Sequence, residues 1–178
     1  MKTVTKRPVV IGLDFDGVIC DTGKIHAQKY AEFIIVAKGD EKLCGEMLHE
    51  EYCRHPEYTI NARPLDGAIK YIGVLLSSGH RVRVVTARSD STLNSAWLWL
   101  RKHRLSLDIV GVGGKSKAEE TKDCEVFLDD FLSVLHQLPH VSHRFLFSRK
   151  YNRHDILPGN IRRVDSWFRF HQYINRLA

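Results

Sequence analysis

Short strand-like runs alternating with stretches of helical periodicity constrain the fold of this chain more than any other feature. Val9–Leu13, Arg81–Thr86, Leu107–Val112, Glu125–Leu128 and Arg144–Phe147 are the strand-like runs. Between them, apolar residues recur at helical spacing over Ile25–Ala37, Ala68–Ser78, from Asp90 or Ser91 to about His103, and over Phe131–Leu138. Glu41–Arg54 and Lys117–Asp123 are two further helical candidates, and Trp167–Leu177 closes the chain. Ala68, Ile69, Ile72, Leu75 and Leu76 form one stripe, stopped by Gly79, and Leu93, Ala96, Trp97 and Leu100 form another. Strands that alternate with helices make a mostly parallel sheet covered on both faces. The expected fold is therefore α/β, a Rossmann-like three-layer sandwich with about five strands and a small helical cap. Residues 1–21 and 64–178 would form the core, and residues 22–63, which lack strand signals, the cap.

Two of the strands end unusually. Val9-Val10-Ile11-Gly12-Leu13 runs into Asp14-Phe15-Asp16-Gly17, and Glu125-Val126-Phe127-Leu128 runs into Asp129-Asp130. Carboxylates beside an apolar core need a cation or a proton to offset them. Two such ends in 178 residues point to a hard metal ion and phosphoryl chemistry. In an open parallel sheet, ligands bind beyond the carboxyl ends of the strands. That edge would gather the four acids, the Thr86 hydroxyl and an ammonium group from the Gly113-Gly114-Lys115-Ser116-Lys117 loop. Side chains at i and i+2 leave a strand on the same side, so Asp14 and Asp16 can face one reacting atom.

The remaining sequence features set limits. No apolar run approaches the ~20 residues of a membrane span, and Val9–Leu13 is too short for a signal-peptide core. Cys20, Cys44, Cys53 and Cys124 are scattered without CxxC spacing, which suits a reducing cytoplasm. A net charge of +6 favours anionic ligands without identifying one.

Taken in order, these residues resemble the haloacid-dehalogenase-like superfamily of phosphohydrolases. Asp14-Phe15-Asp16-Gly17 resembles its nucleophile motif, Val84-Val85-Thr86 its phosphate-binding motif and Leu128-Asp129-Asp130 its acidic metal motif. The lysine motif falls among Lys115, Lys117 and Lys122; Lys117 is favoured and Lys115 is its main rival. Within the superfamily the chain is most similar to the 5'(3')-deoxyribonucleotidase (type C 5'-nucleotidase) group. That likeness runs through Asp14–Cys20, Pro64–Leu76, Trp97–Arg101, Phe127–Asp130, Tyr151-Asn152-Arg153 and Arg163–Trp167. It departs at Thr22, where the group carries an aromatic residue that helps hold the base, at Ala87-Arg88 after Thr86, and in the shorter cap.

The resemblance implies a Mg2+-dependent phosphomonoesterase. Asp14 would attack phosphorus and form an aspartyl-phosphate, and Asp16 would serve as acid and then base. Thr86, Ala87, Arg88 and Lys117 would hold the phosphoryl group. Asp14, the Asp16 backbone carbonyl and Asp130 would hold the metal, with Asp129 beside it. The implied substrate is a nucleotide or another small phosphorylated metabolite. The alternatives are a polynucleotide-end phosphatase and a non-catalytic phosphate- or partner-binding module on the same fold. No membrane contact is expected, and the oligomeric state is not legible.

Other clusters read more simply. Cys44, His49, Cys53 and His55 fit no standard zinc spacing and read as cap packing and surface. Tyr30, Phe33, Tyr52 and Tyr58 could stack on a base, but packing is favoured. Trp97, Trp99 and Trp167 read as helix–sheet packing. The basic C-terminal third could guide a nucleic acid, although a solvated basic face is the favoured account.

Overall fold

The computed structural model describes residues 7–177; the first six residues of the expected 1–21 segment, and Ala178, lie outside the described residues. Six parallel strands form one sheet in the order β3-β2-β1-β4-β5-β6: β1 Val10–Leu13, β2 Arg81–Thr86, β3 Asp108–Gly111, β4 Val126–Asp129, β5 His143–Phe147 and β6 Ile161–Val164. The sixth strand corrects the expected five. Its sequence, Ile161-Arg162-Arg163-Val164, buries only its two ends, so no apolar run marks it. It forms a charged edge, a usual way of discouraging further strand pairing.

Among the described residues, seven α-helices accompany the sheet: α1 Gly23–Val36, α2 Glu41–Arg54, α3 Glu57–Ile60, α4 Ala68–Ser77, α5 Asp90–Lys102, α6 Leu132–His136 and α7 Trp167–Leu177. On one face, Ile72 and Leu75 of α4, Trp99 and Leu100 of α5, and Trp167 and Phe170 of α7 pack on Ile11, Leu13, Val84, Leu128 and Phe145. The other face is covered more thinly. There Leu135 of α6, Leu138 and Val141 pack on Val85, Phe127 and Leu146. Helices α1 and α2 pack on each other, around Ala37, Cys44 and Leu48.

Two local expectations change. Trp97 does not point inward: it is 41 % exposed, beneath the Arg101 guanidinium, whereas Trp99 is fully buried and donates its indole N–H to the Ala62 carbonyl. The buried face of α5 is Thr92, Ser95, Ala96, Trp99 and Leu100, a proper helical stripe whose two polar members hide it from an apolar count. Lys117–Asp123 is not an α-helix but a single 3-10 turn at Glu119–Thr121. The Thr121 hydroxyl donates back to the Lys117 carbonyl at 2.9 Å, the local competition that makes threonine a poor helix former.

The topology sets the site. β1 and β4 lie side by side at the centre, with Leu13 opposite Leu128. The Asp14 amide donates to the Leu128 carbonyl at 2.9 Å. The acids that follow the two strands therefore leave the same edge of the sheet, and Thr86 ends the neighbouring β2 there.

Candidate active site

Asp14, Asp129 and Asp130 are buried, and one carboxylate oxygen from each lies within 4.8 Å of the others. Lys117 reaches them from the turn after β3. Its ammonium donates to Asp14 Oδ1 at 2.6 Å and to Asp129 Oδ2 at 2.8 Å. Lys115 and Lys122 are exposed, and Lys122 pairs with Glu119 instead. Of the three candidate lysines, Lys117 is the one joined to the acids.

Each acid has a distinct environment. The Phe131 amide donates to Asp129 Oδ1 at 2.8 Å. The Tyr151 hydroxyl donates to Asp130 Oδ2. Asn152 Nδ2 donates to the Asp130 carbonyl at 2.7 Å and to the Phe147 carbonyl at 2.8 Å, which ties the Tyr151 loop to the ends of β4 and β5. Asp130 Oδ1 is buried with no hydrogen-bond partner. Gly17 has φ +73°, and a Cβ there would meet the Asp130 carboxylate and the Tyr151 hydroxyl. Glycine is needed both for the backbone turn and for the space.

The charges are unevenly balanced. Burial pushes the Asp14 carboxyl well above its usual range; Lys117 opposes this, while Asp129, Asp130 and Asp16 add to it. Burial and Asp129 push Asp130 up to about 7, with the Tyr151 bond working the other way. For Lys117, burial favours loss of the proton, but Asp14 and Asp129 outweigh it and hold the ammonium above its ordinary value. One cation thus serves several crowded carboxylates. A second, divalent cation would complete the neutralisation, and the unpartnered Asp130 oxygen gives it a ligand. An all-oxygen set of this kind suits magnesium better than a softer metal.

Asp16 faces other partners. Arg88 binds it in bidentate fashion, Nε to Oδ2 and Nη2 to Oδ1, both at 2.8 Å, and the Thr22 hydroxyl donates to Oδ1 at 2.7 Å. Burial would raise the Asp16 pKa, but the Arg88 charge and the hydrogen bonds from Arg88 and Thr22 prevail and hold it below its ordinary value. Arg88 is itself fixed: its Nη1 donates to the Thr92 carbonyl and the Ser95 hydroxyl, and its guanidinium lies over the rings of Phe15 and Tyr52. The polar stripe of α5 therefore holds Arg88, and Arg88 holds Asp16. Thr86 is buried, and its hydroxyl accepts from the Arg88 amide at 3.4 Å. The Ala87 carbonyl accepts from the Gly114 amide at 2.9 Å, which laces this loop to the Lys117 loop.

Asp14, Asp16, Thr86, Ala87, Arg88, Lys117, Asp129 and Asp130 are legible as candidates in the sequence, whereas the orienting roles of their partners are not. Thr22 reads there only as a departure from an aromatic pattern, and the contacts of Ser95, Tyr151 and Asn152 span distances no local pattern encodes. Cys44, His49, Cys53 and His55 form no group of three within metal-binding distance among the described residues. The Cys44 thiol lies against the Tyr30 carbonyl, and Cys53 lies 3.6 Å from His49 one helical turn away. Several basic residues of the C-terminal third are engaged internally: Arg144 is buried and donates to the Leu135 carbonyl, Arg149 pairs with Asp21, and Arg163 donates to the Asp155 carbonyl. A cavity of about 370 Å³ lined by Trp97, Leu100, Arg101 and Arg104 contains none of the site residues.

Known proteins share this fold. The fold is similar to that of a hydrolase from Pseudomonas syringae (TM-score 0.67, 12 % identity, covering 97 % of this chain and 100 % of that one). It is also similar to a HAD-superfamily hydrolase from Ehrlichia chaffeensis (TM-score 0.61, 14 % identity, 97 % and 98 %). A third likeness is to the HAD-hydrolase YfnB from Bacillus subtilis, whose structure is bound to magnesium (TM-score 0.61, 13 % identity, 96 % and 100 %). No curated protein matches the chain. The model of the family described as "5' nucleotidase, deoxy (Pyrimidine), cytosolic type C protein" matches residues 7–178. The chain belongs to that family and is a phosphatase on a haloacid-dehalogenase-like fold.

Proposed function

We propose that the chain hydrolyses the phosphomonoester of a nucleotide, or of another small phosphorylated metabolite, through an aspartyl-phosphate on Asp14. The contact that carries this reading is the bond from Lys117 to Asp14 and Asp129 at the foot of β1 and β4. It places an ammonium beside the carboxylate that would attack, where it would also meet the negative charge of the incoming phosphoryl group. Such charge neutralisation and positioning account for most of phosphoryl-transfer catalysis.

Asp14, the Asp16 carbonyl and Asp130 would hold Mg2+, with Asp129 beside it, and the ion would polarise the phosphoryl oxygens. Thr86 would donate its hydroxyl to the phosphoryl group, beside the backbone of Ala87 and Arg88. Asp16, held as a carboxylate by Arg88 and Thr22, is ready to take a proton from the water that attacks the intermediate. To protonate the leaving alkoxide first, it must gain a proton, and a phosphoryl dianion that draws Arg88 away would raise its pKa in the required direction. Helices α1–α3, within residues 22–63, act as a small cap over the described part of the core, and Tyr52 brings that cap to Arg88. Three buried free cysteines, one exposed, and the family's cytosolic members favour the cytoplasm.

The test is phosphate release from a panel of nucleoside monophosphates and sugar phosphates, with and without magnesium. Asp14→Asn should abolish turnover. Magnesium-dependent hydrolysis that persists in that variant overturns the nucleophile assignment. Preferential release from 3'- or 5'-phosphorylated oligonucleotides would favour the polynucleotide-end reading, and no release from any substrate would favour a non-catalytic module.

A further inference from the structure

The crevice of about 370 Å³ lies at the end of α5, and none of the acids lines it. Leu100 and Leu105, both buried, supply an apolar wall, and the exposed Trp97 ring stands beside them. The rim is cationic. Arg101 and Arg104 line it, both exposed, and the Arg101 guanidinium lies 4.7 Å from the centre of the Trp97 ring. Among the described residues neither guanidinium pairs with a carboxylate; the arginines that do are Arg7, Arg54, Arg83, Arg88 and Arg149. Arg104 also has φ +57°, in the left-handed region that glycine usually fills after a helix. The carbonyl end of a helix attracts basic residues, but it does not require an apolar crevice beside them.

From this we infer that the crevice is a second ligand site, fitted to a nucleoside polyphosphate. The two guanidinium groups, three positions apart at the helix end, are neighbours and would meet adjacent phosphates through charge-assisted hydrogen bonds. The planar group of the ligand would lie against the Trp97–Arg101 stack and the leucine wall, since flat rings stack on both indole and guanidinium faces. A bare phosphate chain would leave the wall unused, and a bare nucleoside would leave the arginines unpaired. The site is separate from the acids. β3 begins at Asp108, opposite Arg83, and ends at Gly111, opposite Thr86. The crevice precedes β3, at the amino edge of the sheet, whereas Asp14, Thr86 and Asp129 stand at the carboxyl edge. The inference therefore does not depend on the phosphomonoesterase reading.

ATP is the probe, titrated into the full chain in EDTA while tryptophan fluorescence is followed. Trp99 and Trp167 are fully buried, so the exposed Trp97 should carry the change. A saturable quench is expected, with half-saturation below about 1 mM, and it should vanish in Trp97→Phe. Inorganic triphosphate and adenosine, one half of the ligand each, should bind at least about 10-fold more weakly than ATP. Arg104→Ala should weaken ATP binding by about 10-fold or more. Its circular dichroism spectrum should be unchanged, because the side chain is exposed, and Arg104→Lys should recover only part of the affinity. Asp14→Asn should bind ATP as the wild type does. A titration without a saturable quench overturns the inference, as does a quench that survives in Trp97→Phe. Equal affinity for triphosphate or adenosine, or unchanged binding by Arg104→Ala, overturns it as well. Loss of binding in Asp14→Asn would put the nucleotide at the acids and end the case for a second site.

Discussion

Replacing Asp130 by Asn separates what the site does to stability from what it does for chemistry. In the metal-free protein the Asp130 carboxyl is raised from 3.8 to about 7 by burial and by Asp129. Because the folded value lies above the unfolded one, the folded state binds this proton more tightly. The contribution of this group to stability is then greatest below about pH 4 and is lost as pH rises to about 7, the opposite of a salt-bridged aspartate. A rise of roughly three pH units corresponds to about 4 kcal/mol of destabilisation once the group is fully ionised. Asparagine cannot ionise and escapes this, but it weakens the bond from Tyr151 by about 1–2 kcal/mol. At about pH 8.5 in EDTA, Asp130→Asn should therefore be more stable than wild type by about 2–3 kcal/mol. At about pH 5.5 most of the wild-type carboxyl is protonated, and the advantage should shrink by about 2 kcal/mol.

Urea unfolding followed by circular dichroism at the two pH values measures both quantities. Magnesium should then reverse the order, since an ion bound only by the folded wild type stabilises it by mass action and should leave the variant unmoved. A variant less stable than wild type at the higher pH, with a gap that does not change at the lower pH, would refute the reasoning. It would mean that Asp130 is not an uncompensated buried acid, and the case for a cation site there would go with it.

Two further outcomes follow from the same contacts. Lys117→Met leaves the buried Asp14 and Asp129 without their shared donor and should cost about 3–5 kcal/mol near neutral pH, whereas the exposed Lys115→Met should stay within about 0.5 kcal/mol; parallel denaturant titrations of the two variants check this. Arg88→Met removes the cation that lowers the Asp16 pKa, so the alkaline limb of kcat/KM should move to higher pH if Asp16 is the acid. The carboxyl-carbon NMR titration of Asp16 should rise with it, and an unmoved titration would show that Arg88 does not control this group.

Local pattern was enough for the scaffold because strand and helix periodicities are written into consecutive residues. Ile11, Leu13, Val84, Leu128 and Phe145 announce a buried sheet, and the stripe of Ala68, Ile72 and Leu75 announces a helix lying on it. The carboxylates after Leu13 and Leu128 are legible for the same reason: a short apolar run that ends in acids is unusual in a core. The edge strand Ile161–Val164 escapes because two of its four residues are arginines. Trp97 turns outward because the inner face of α5 runs through Thr92, Ser95 and Trp99, a choice that makes sense only with Arg88 in view.

The chain by itself determines a parallel α/β sheet with acids at the ends of two strands and a lysine-bearing loop nearby, since each is a run of neighbours in sequence. Tertiary structure alone decides which groups meet. Lys117 crosses 103 positions to reach Asp14, Arg88 crosses 72 to clamp Asp16, and Tyr151 crosses 21 to hold Asp130. Those pairings depend on strand order and register, which bring distant segments to one edge of the sheet. They set the pKa of each acid through burial and charge, quantities that no short window of sequence contains.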